Sequence, residues 1–176
     1  MTPAPSAPDD AAALCADCGF CCDGTFFGNV AIDPAETARL ARVGLPVLDR
    51  DGAPVVRQPC AALSGTRCTV YPDRPAACGR YACLLRKAVA AGETSLVDAR
   101  RQVDRMRALV AQIRAALDAP ADASIWERIE ALEEPTTAEE AAAARARYAP
   151  LFTAVSELLE LGRASFEPRF PGSGTD

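Results

Sequence analysis

The sequence predicts an α+β fold in which a small, irregular, cysteine-rich lobe with short hairpins is followed by a helical lobe of three to five helices. Three observations predict it. All eight cysteines of the 176-residue chain fall between Cys15 and Cys83. Around them stand short apolar runs punctuated by Gly, Pro and Asp, the composition of turns and brief strands. From Leu84 onward the chain changes to Ala, Leu, Arg and Glu, with apolar residues at helical spacing and no further cysteine.

Residues 1–13 carry Pro3, Pro5 and Pro8 among Ala, Ser and Asp. They have too little apolar surface to offset the entropy of ordering and read as a disordered lead. Phe26, Phe27, Val30 and Ile32 suggest a short strand. Asp33, Pro34 and Glu36 supply an N-cap, a first-turn proline and an N3 acid, so a helix is expected from Pro34 to about Val43, ended by Gly44. Hairpins are expected over Val47 to Val56 around Asp51 and Gly52, and over Cys60 to Tyr71 around Ser64 and Gly65. Tyr71, Pro72, Asp73, Arg74 and Pro75 form a rigid turn, because two prolines fix their own φ and push the residues before them to extended backbone. That turn should aim Cys78 and Cys83 inward.

In the helical half, Ser95 and Asp98 mark a helix start. Leu96, Ala99, Val103, Met106, Val110, Ile113 and Leu117 then repeat at spacings of three and four, a stripe that serves more often as core than as an oligomer seam. Ser124 and Glu127 begin a short helix containing Trp126, the only tryptophan. Thr137 and Glu140 begin another, broken or kinked at Pro150 and continuing from Leu151 to Leu161 and a cap at Gly162. The expected division is a lead over 1–13, a cysteine-cluster metal-binding domain over 14–91, a helical lobe packed on it over 92–165, and a frayed tail over 166–176.

The cysteines carry the chemistry. Cys15, Cys18, Cys21 and Cys22 read CxxCxxCC, and successive two-residue gaps are expected to place three thiolates on one tight loop facing a common inorganic centre. Cys60, Cys68, Cys78 and Cys83 bring the total to eight, twice the four soft ligands of a zinc ion or a cubane cluster. A disulfide framework is the competing reading. Met1 to Asp10 holds no Lys or Arg and no apolar stretch of signal-peptide length, so a reducing cytoplasm, and hence metal, is expected instead. The chain contains no histidine, which leaves all-thiolate coordination by zinc or an iron-sulfur cluster. Structural zinc usually uses two separated CxxC knuckles, whereas CxxCxxC with a distant fourth cysteine is the ferredoxin style, and the spacing slightly favours iron-sulfur. The match is partial, since ferredoxins place proline directly after the remote cysteine and here Pro59 precedes Cys60. Adjacent Cys21 and Cys22 leave the backbone in different directions. Cys15, Cys18 and Cys21 are therefore expected to share one centre with a single distal cysteine, and Cys22 to join the remaining distal cysteines in a second.

The charge pattern agrees. The formal net charge is −5, yet between Arg57 and Lys87 there are six basic residues and one acid, Asp73. A local positive excess would offset thiolate charge, with Arg74 and Arg80 as the expected neighbours of the metal. An acidic chain of pI about 4.9 argues against a nucleic-acid partner. No apolar run is long enough to span a bilayer, so a soluble protein is expected. There is no GxxxxGK[ST] loop, no GxGxxG fingerprint and no histidine base, so an enzyme is not expected.

Cys15, Cys18, Cys21, Cys22, Pro59, Cys60, Leu63, Cys68, Tyr71, Arg74, Pro75, Cys78 and Cys83 together resemble the YkgJ-like CxxCxxCC cysteine-cluster family, a zinc- or iron-chelating domain, over roughly residues 15–85. The resemblance implies a metal-chelating domain; Tyr71 is expected near the metal together with Arg74 and Arg80. A related domain occurs in flagellin lysine N-methylases, where an iron-sulfur cluster is implied. Nothing in Gly92 to Asp176 matches a methylase, so that activity is not carried over. The expectation is a cytoplasmic metal-binding protein holding one or two all-cysteine centres, with a structural, redox or metal-handling role. Its partners would be metal ions and, through the helical lobe, a protein. The alternatives are a metal-stapled interaction module presenting the Leu96 to Leu117 helix, or an accessory to protein lysine methylation.

Overall fold

The computed structural model describes residues 10–120, 123–132, 135 and 137–166. Among them the chain is mixed α+β, with small antiparallel sheets in the cysteine-bearing part and a helical C-terminal region. Helix α1 spans Asp10–Cys18, so Asp10 to Ala13, expected as disordered lead, are helical; residues 1–9 lie outside the described residues. The physical reason is burial: Ala11 and Leu14 face the core, which offsets the ordering entropy that composition alone did not.

Strand β1 covers Asn29–Ala31, a shorter and later strand than the aromatic run suggested, because Phe26 is taken into the core. The helix expected from Pro34 divides into a 3-10 turn over Pro34–Glu36 and helix α2 over Thr37–Arg42. Its cap is as expected, with Asp33 Oδ1 accepting from the Ala35 N–H at 2.9 Å and Gly44 past the end at φ +75°. Strands β2 (Leu48–Arg50) and β3 (Ala53–Arg57) form the first hairpin, turned by Asp51 and Gly52 at φ 56° and 81°, the two positive φ values of a type I′ turn. The order in this sheet is β1-β3-β2, with Asn29 opposite Arg57 and Leu48 opposite Val55. Strands β4 (Leu63–Ser64) and β5 (Arg67–Cys68) form the second hairpin. Tyr71–Asp73 make a 3-10 turn, followed by helices α3 (Ala76–Arg80) and α4 (Leu84–Ala90).

Helix α5, Leu96–Leu117, is the central beam. Ser95 caps it by accepting from the Asp98 N–H at 3.0 Å. Ala99, Val103, Met106, Val110, Ile113 and Leu117 of the stripe are buried, joined by Leu109, so the stripe is core. Helix α6 (Ile125–Glu130) follows its Ser124 cap, and α7 runs Ala138–Phe166. Thr137 and Glu140 form the reciprocal capping box at the start of α7, each accepting from the other's backbone N–H at 3.1 Å. Two expectations are corrected here. Gly162 is buried inside α7 and does not end it, and Phe166, placed in the tail, is 1% exposed within the helix. The helix is carried past Pro150 and Gly162 by the burial of Leu151, Ala154, Leu158 and Phe166, which outweighs local propensity. Residues 167–176 lie outside the described residues.

Two hydrophobic clusters result. The larger joins Ala11, Leu14, Phe20, Phe26, Leu85 and Val89 of the cysteine-bearing part to the buried faces of α5, α6 and α7. The smaller gathers Ile32, Leu40, Leu45, Val56 and Ala62 beneath the sheet. No helix among the described residues is long and apolar enough to cross a membrane. Ile113 and Leu158 are 0% exposed, so Ile113→Ala or Leu158→Ala should lower stability by about 2–5 kcal/mol in urea unfolding. Val97→Ala, at a position 58% exposed on the same α5, should change it by less than about 0.5 kcal/mol.

Candidate metal centre

The thiols arrive at one place by four local devices. On α1, Ala11, Leu14, Cys15 and Cys18 stand at helical i, i+3, i+4, i+7; half-buried Cys18 prolongs the stripe that the helix turns inward, while Cys15 lines the cavity from an exposed position. Cys15 and Cys18 are thus helical and do not sit on a loop with Cys21 as expected. The expected tight turn comes one residue later. Gly19, at φ +77°, ends the helix and reverses the chain; the N–H groups of Cys22 and Asp23 both donate to its carbonyl, at 2.8 and 3.1 Å. Cys60 is tied to this turn by its N–H, which donates to the Cys22 carbonyl at 2.7 Å. Cys68 sits on β5, where the hairpin register places it opposite Leu63.

Cys78 and Cys83 depend on the turn between Tyr71 and Pro75. Arg74 lies 3.8 Å above the Tyr71 ring centroid and donates to the Tyr71 carbonyl at 2.6 Å, which locks the turn. Glu36 holds its far end, accepting from the Ala76 N–H at 3.1 Å and from Arg39 at 2.5 Å. Cys78 follows on α3, and Cys83 caps α4 by accepting from the Arg86 N–H at 3.4 Å.

All eight cysteines are free and line one cavity of about 290 Å³. Among the described residues, no group of three or more cysteine and carboxylate side chains forms a ready-made single-ion site. The thiols ring a space rather than a point. Burial is the main force on six of them, pushing Cys18 and Cys22 up to about 12 and Cys78 up to about 11, with Cys21, Cys60 and Cys83 also raised. Mutual repulsion adds to this in a definite pattern. Cys18 is raised by Cys83 and Cys15, Cys21 mainly by Cys18 and Cys83, and Cys83 by Cys15. Cys22 is raised mainly by Cys60, Cys78 and Cys68, and Cys78 by Cys60 and Cys68. The couplings across the two sets are those of Cys22 with its neighbour Cys21 and with Cys15.

Positive charge stands around the cavity. Arg74 lowers Cys78 and lines the cavity with Tyr71, whereas Arg80 is exposed on the last turn of α3. The sequence reading missed Arg107 and Arg86. Arg107, on α5, donates to the carbonyls of Asp17 and Cys18, the open C-terminal end of α1, and its charge lowers Cys18. Arg86 lowers Cys83 and donates to the Tyr81 carbonyl at 2.9 Å. Beside them, Arg100 and Arg67 hold the Asp17 carboxyl below its ordinary value, at 3.0 and 2.9 Å. Arg86, close in sequence to Cys83, was within reach of a spacing argument; Arg107 was not, because only packing of α5 against α1 brings it there.

This donor set defines a class: an α+β protein with an all-sulfur chelating site. Buried thiols this close together resist ionising alone, and a soft cation supplies the charge that makes them thiolates. The residues present therefore fit zinc or iron, both of which accept four thiolates. Residues 14–100 match the model of the CxxCxxCC family, described as "Putative zinc- or iron-chelating domain", and through this region the chain belongs to that family. No curated protein and no solved structure gives a match to it.

Gly19 is the pivot of the site. A Cβ there would come within 3.1 Å of the Thr66 Cα and carbonyl oxygen, on a backbone that disfavours any side chain. Gly19→Ala should cost about 1–3 kcal/mol in urea unfolding. It should also lower the metal bound per chain, measured by elemental analysis.

Proposed function

We propose that the chain is a metal-binding protein with two all-thiolate centres, one on Cys15, Cys18, Cys21 and Cys83 and the other on Cys22, Cys60, Cys68 and Cys78. What supports this reading is that all eight thiols line one cavity, where Cys18, Cys21 and Cys83 feel mainly one another and Cys15, and Cys22 and Cys78 feel mainly Cys60 and Cys68. Four thiolates are what one zinc ion or one cubane cluster takes.

Of the two metals we favour iron-sulfur. A zinc ion closed in by four sulfurs leaves little space, whereas the cavity here is about 290 Å³. One water needs only about 10–15 Å³ on such a measure, so there is space for multi-atom centres. When bound, such centres would supply one-electron chemistry or a rigid staple. The chain's own residues hold the sulfurs in position, shield them from water and set positive charge beside them. The role that follows is electron transfer, sensing or support of another protein's modification, in a reducing cytoplasm where eight free cysteines persist. The net charge of −5 supports metal ions, rather than nucleic acid or anionic membrane, as the partners.

Anaerobic purification followed by iron, zinc and sulfide analysis tests the metal. About eight irons and eight sulfides per chain are expected for two cubanes, with broad thiolate-to-iron absorption. Stoichiometric zinc without sulfide refutes the iron-sulfur assignment. Cys22→Ser and Cys83→Ser test the partition, since each should leave about half of the metal in place. Complete loss from either variant, with helical circular dichroism retained, rules the partition out.

A further inference from the structure

Gln58 is 4% exposed and lines the thiol cavity two residues before Cys60. Its Oε1 is sealed from solvent and has no hydrogen-bond partner. Among the described residues Thr25 Oγ1 shares that condition, but Thr25 does not line the cavity. A buried amide oxygen with no donor to accept from is costly; an apolar side chain of similar size would avoid the cost, and so would a rotation that puts the NH₂ end in its place beside an acceptor. Something must reward the amide in the working protein.

The filled cavity offers what the bare one does not. Metal-bound thiolates carry no proton and only accept hydrogen bonds, and an amide can present either its C=O or its NH₂ end with little change of shape. Gln58 follows β3 and leads into Cys60, whose own N–H is bonded to the Cys22 carbonyl, and it lines the cavity together with both cysteines. We infer that Gln58 donates an amide N–H to a sulfur of the centre held by Cys22, Cys60, Cys68 and Cys78, and thereby raises that centre's reduction potential. Hydrogen bonds to the sulfurs are one of the levers that set such potentials, because they stabilise the more negative, reduced form more than the oxidised one. Gln58 is then a positioning residue, outside the ligand set. The inference rests on the two-centre reading above.

The test uses the full chain loaded anaerobically. Gln58→Met keeps the length of the side chain and removes the donor. The expected result is metal and sulfide content equal to wild type, with the midpoint potential of one centre moved to a more negative value and the other unchanged. Metal–sulfur vibrational bands that shift in heavy water should lose part of that shift in the variant. A fully loaded Gln58→Met protein with wild-type potential and bands overturns the inference and leaves the two-centre reading standing. Wild-type protein that takes up no metal overturns both. Should Gln58→Met not fold, Gln58→Asn withdraws the amide by one methylene, and a lowered potential supports the inference while an unchanged one overturns it. If the metal is zinc, the comparison is made on cobalt(II)-substituted protein, where a shifted thiolate-to-cobalt band between wild type and Gln58→Met supports the hydrogen bond and an identical band overturns it.

Discussion

Eight thiols that share one partly sealed cavity place a constraint on everything around them. Burial and mutual repulsion both oppose ionisation of Cys18, Cys21, Cys22, Cys60, Cys78 and Cys83, so these six are stable either as neutral thiols or as thiolates neutralised by a cation. The surrounding structure is arranged to keep them together. Helix α1 carries Cys15 and Cys18 at the cavity, the reversal at Gly19 presents Cys21 and Cys22, and the Cys60 to Cys22 backbone bond draws the distal half back. Folding of this part and metal binding are therefore expected to be linked, as in other small metal-stapled domains.

The helical region supplies what the cysteine-bearing part lacks. Phe20 and Phe26 pack with Phe166 from the end of α7, at centroid distances of 6.0 and 4.8 Å, and Tyr81 donates to the Phe166 carbonyl at 2.5 Å. Trp126 on α6 reaches across to the Thr25 carbonyl at 2.9 Å. These contacts join the ends of the chain through one core, so an expected division near Gly92 in sequence is crossed by continuous packing in space. The exposed ion pairs between Arg57 and Glu127 and between Arg105 and Glu157 add little beside this burial.

Electrostatics follows the same division of labour. The chain is acidic as a whole, yet Arg74 and Arg86 line the cavity and Arg107 stands behind Cys18, and each favours the charged form of a neighbouring thiol. Arg107 acts twice, since it also satisfies carbonyls at the open end of α1 and so fixes the helix that carries two of the sulfurs. A single residue of the central beam thereby connects the core to the site.

The helix starts at Asp33, Ser95, Ser124 and Thr137, the hairpin at Asp51 and Gly52 and the stripe of α5 were legible in the sequence, because caps, type I′ turns and helical periodicity act over a few residues. The eight cysteines and their family pattern were legible for the same reason. Where competition with burial decided the outcome, local rules failed. Asp10 to Ala13 are helical, α7 passes Gly162, and Phe166 is core, since each gains apolar contacts with residues far away in the chain. The sequence by itself determined the donors on offer, eight thiols and no histidine, in a chain of a zinc- or iron-chelating family. Only the tertiary structure decided that all eight thiols line one cavity, that Gln58 lines it with them and that Arg107 reaches the Cys18 carbonyl, because those neighbourhoods are made by packing between segments that no spacing rule connects.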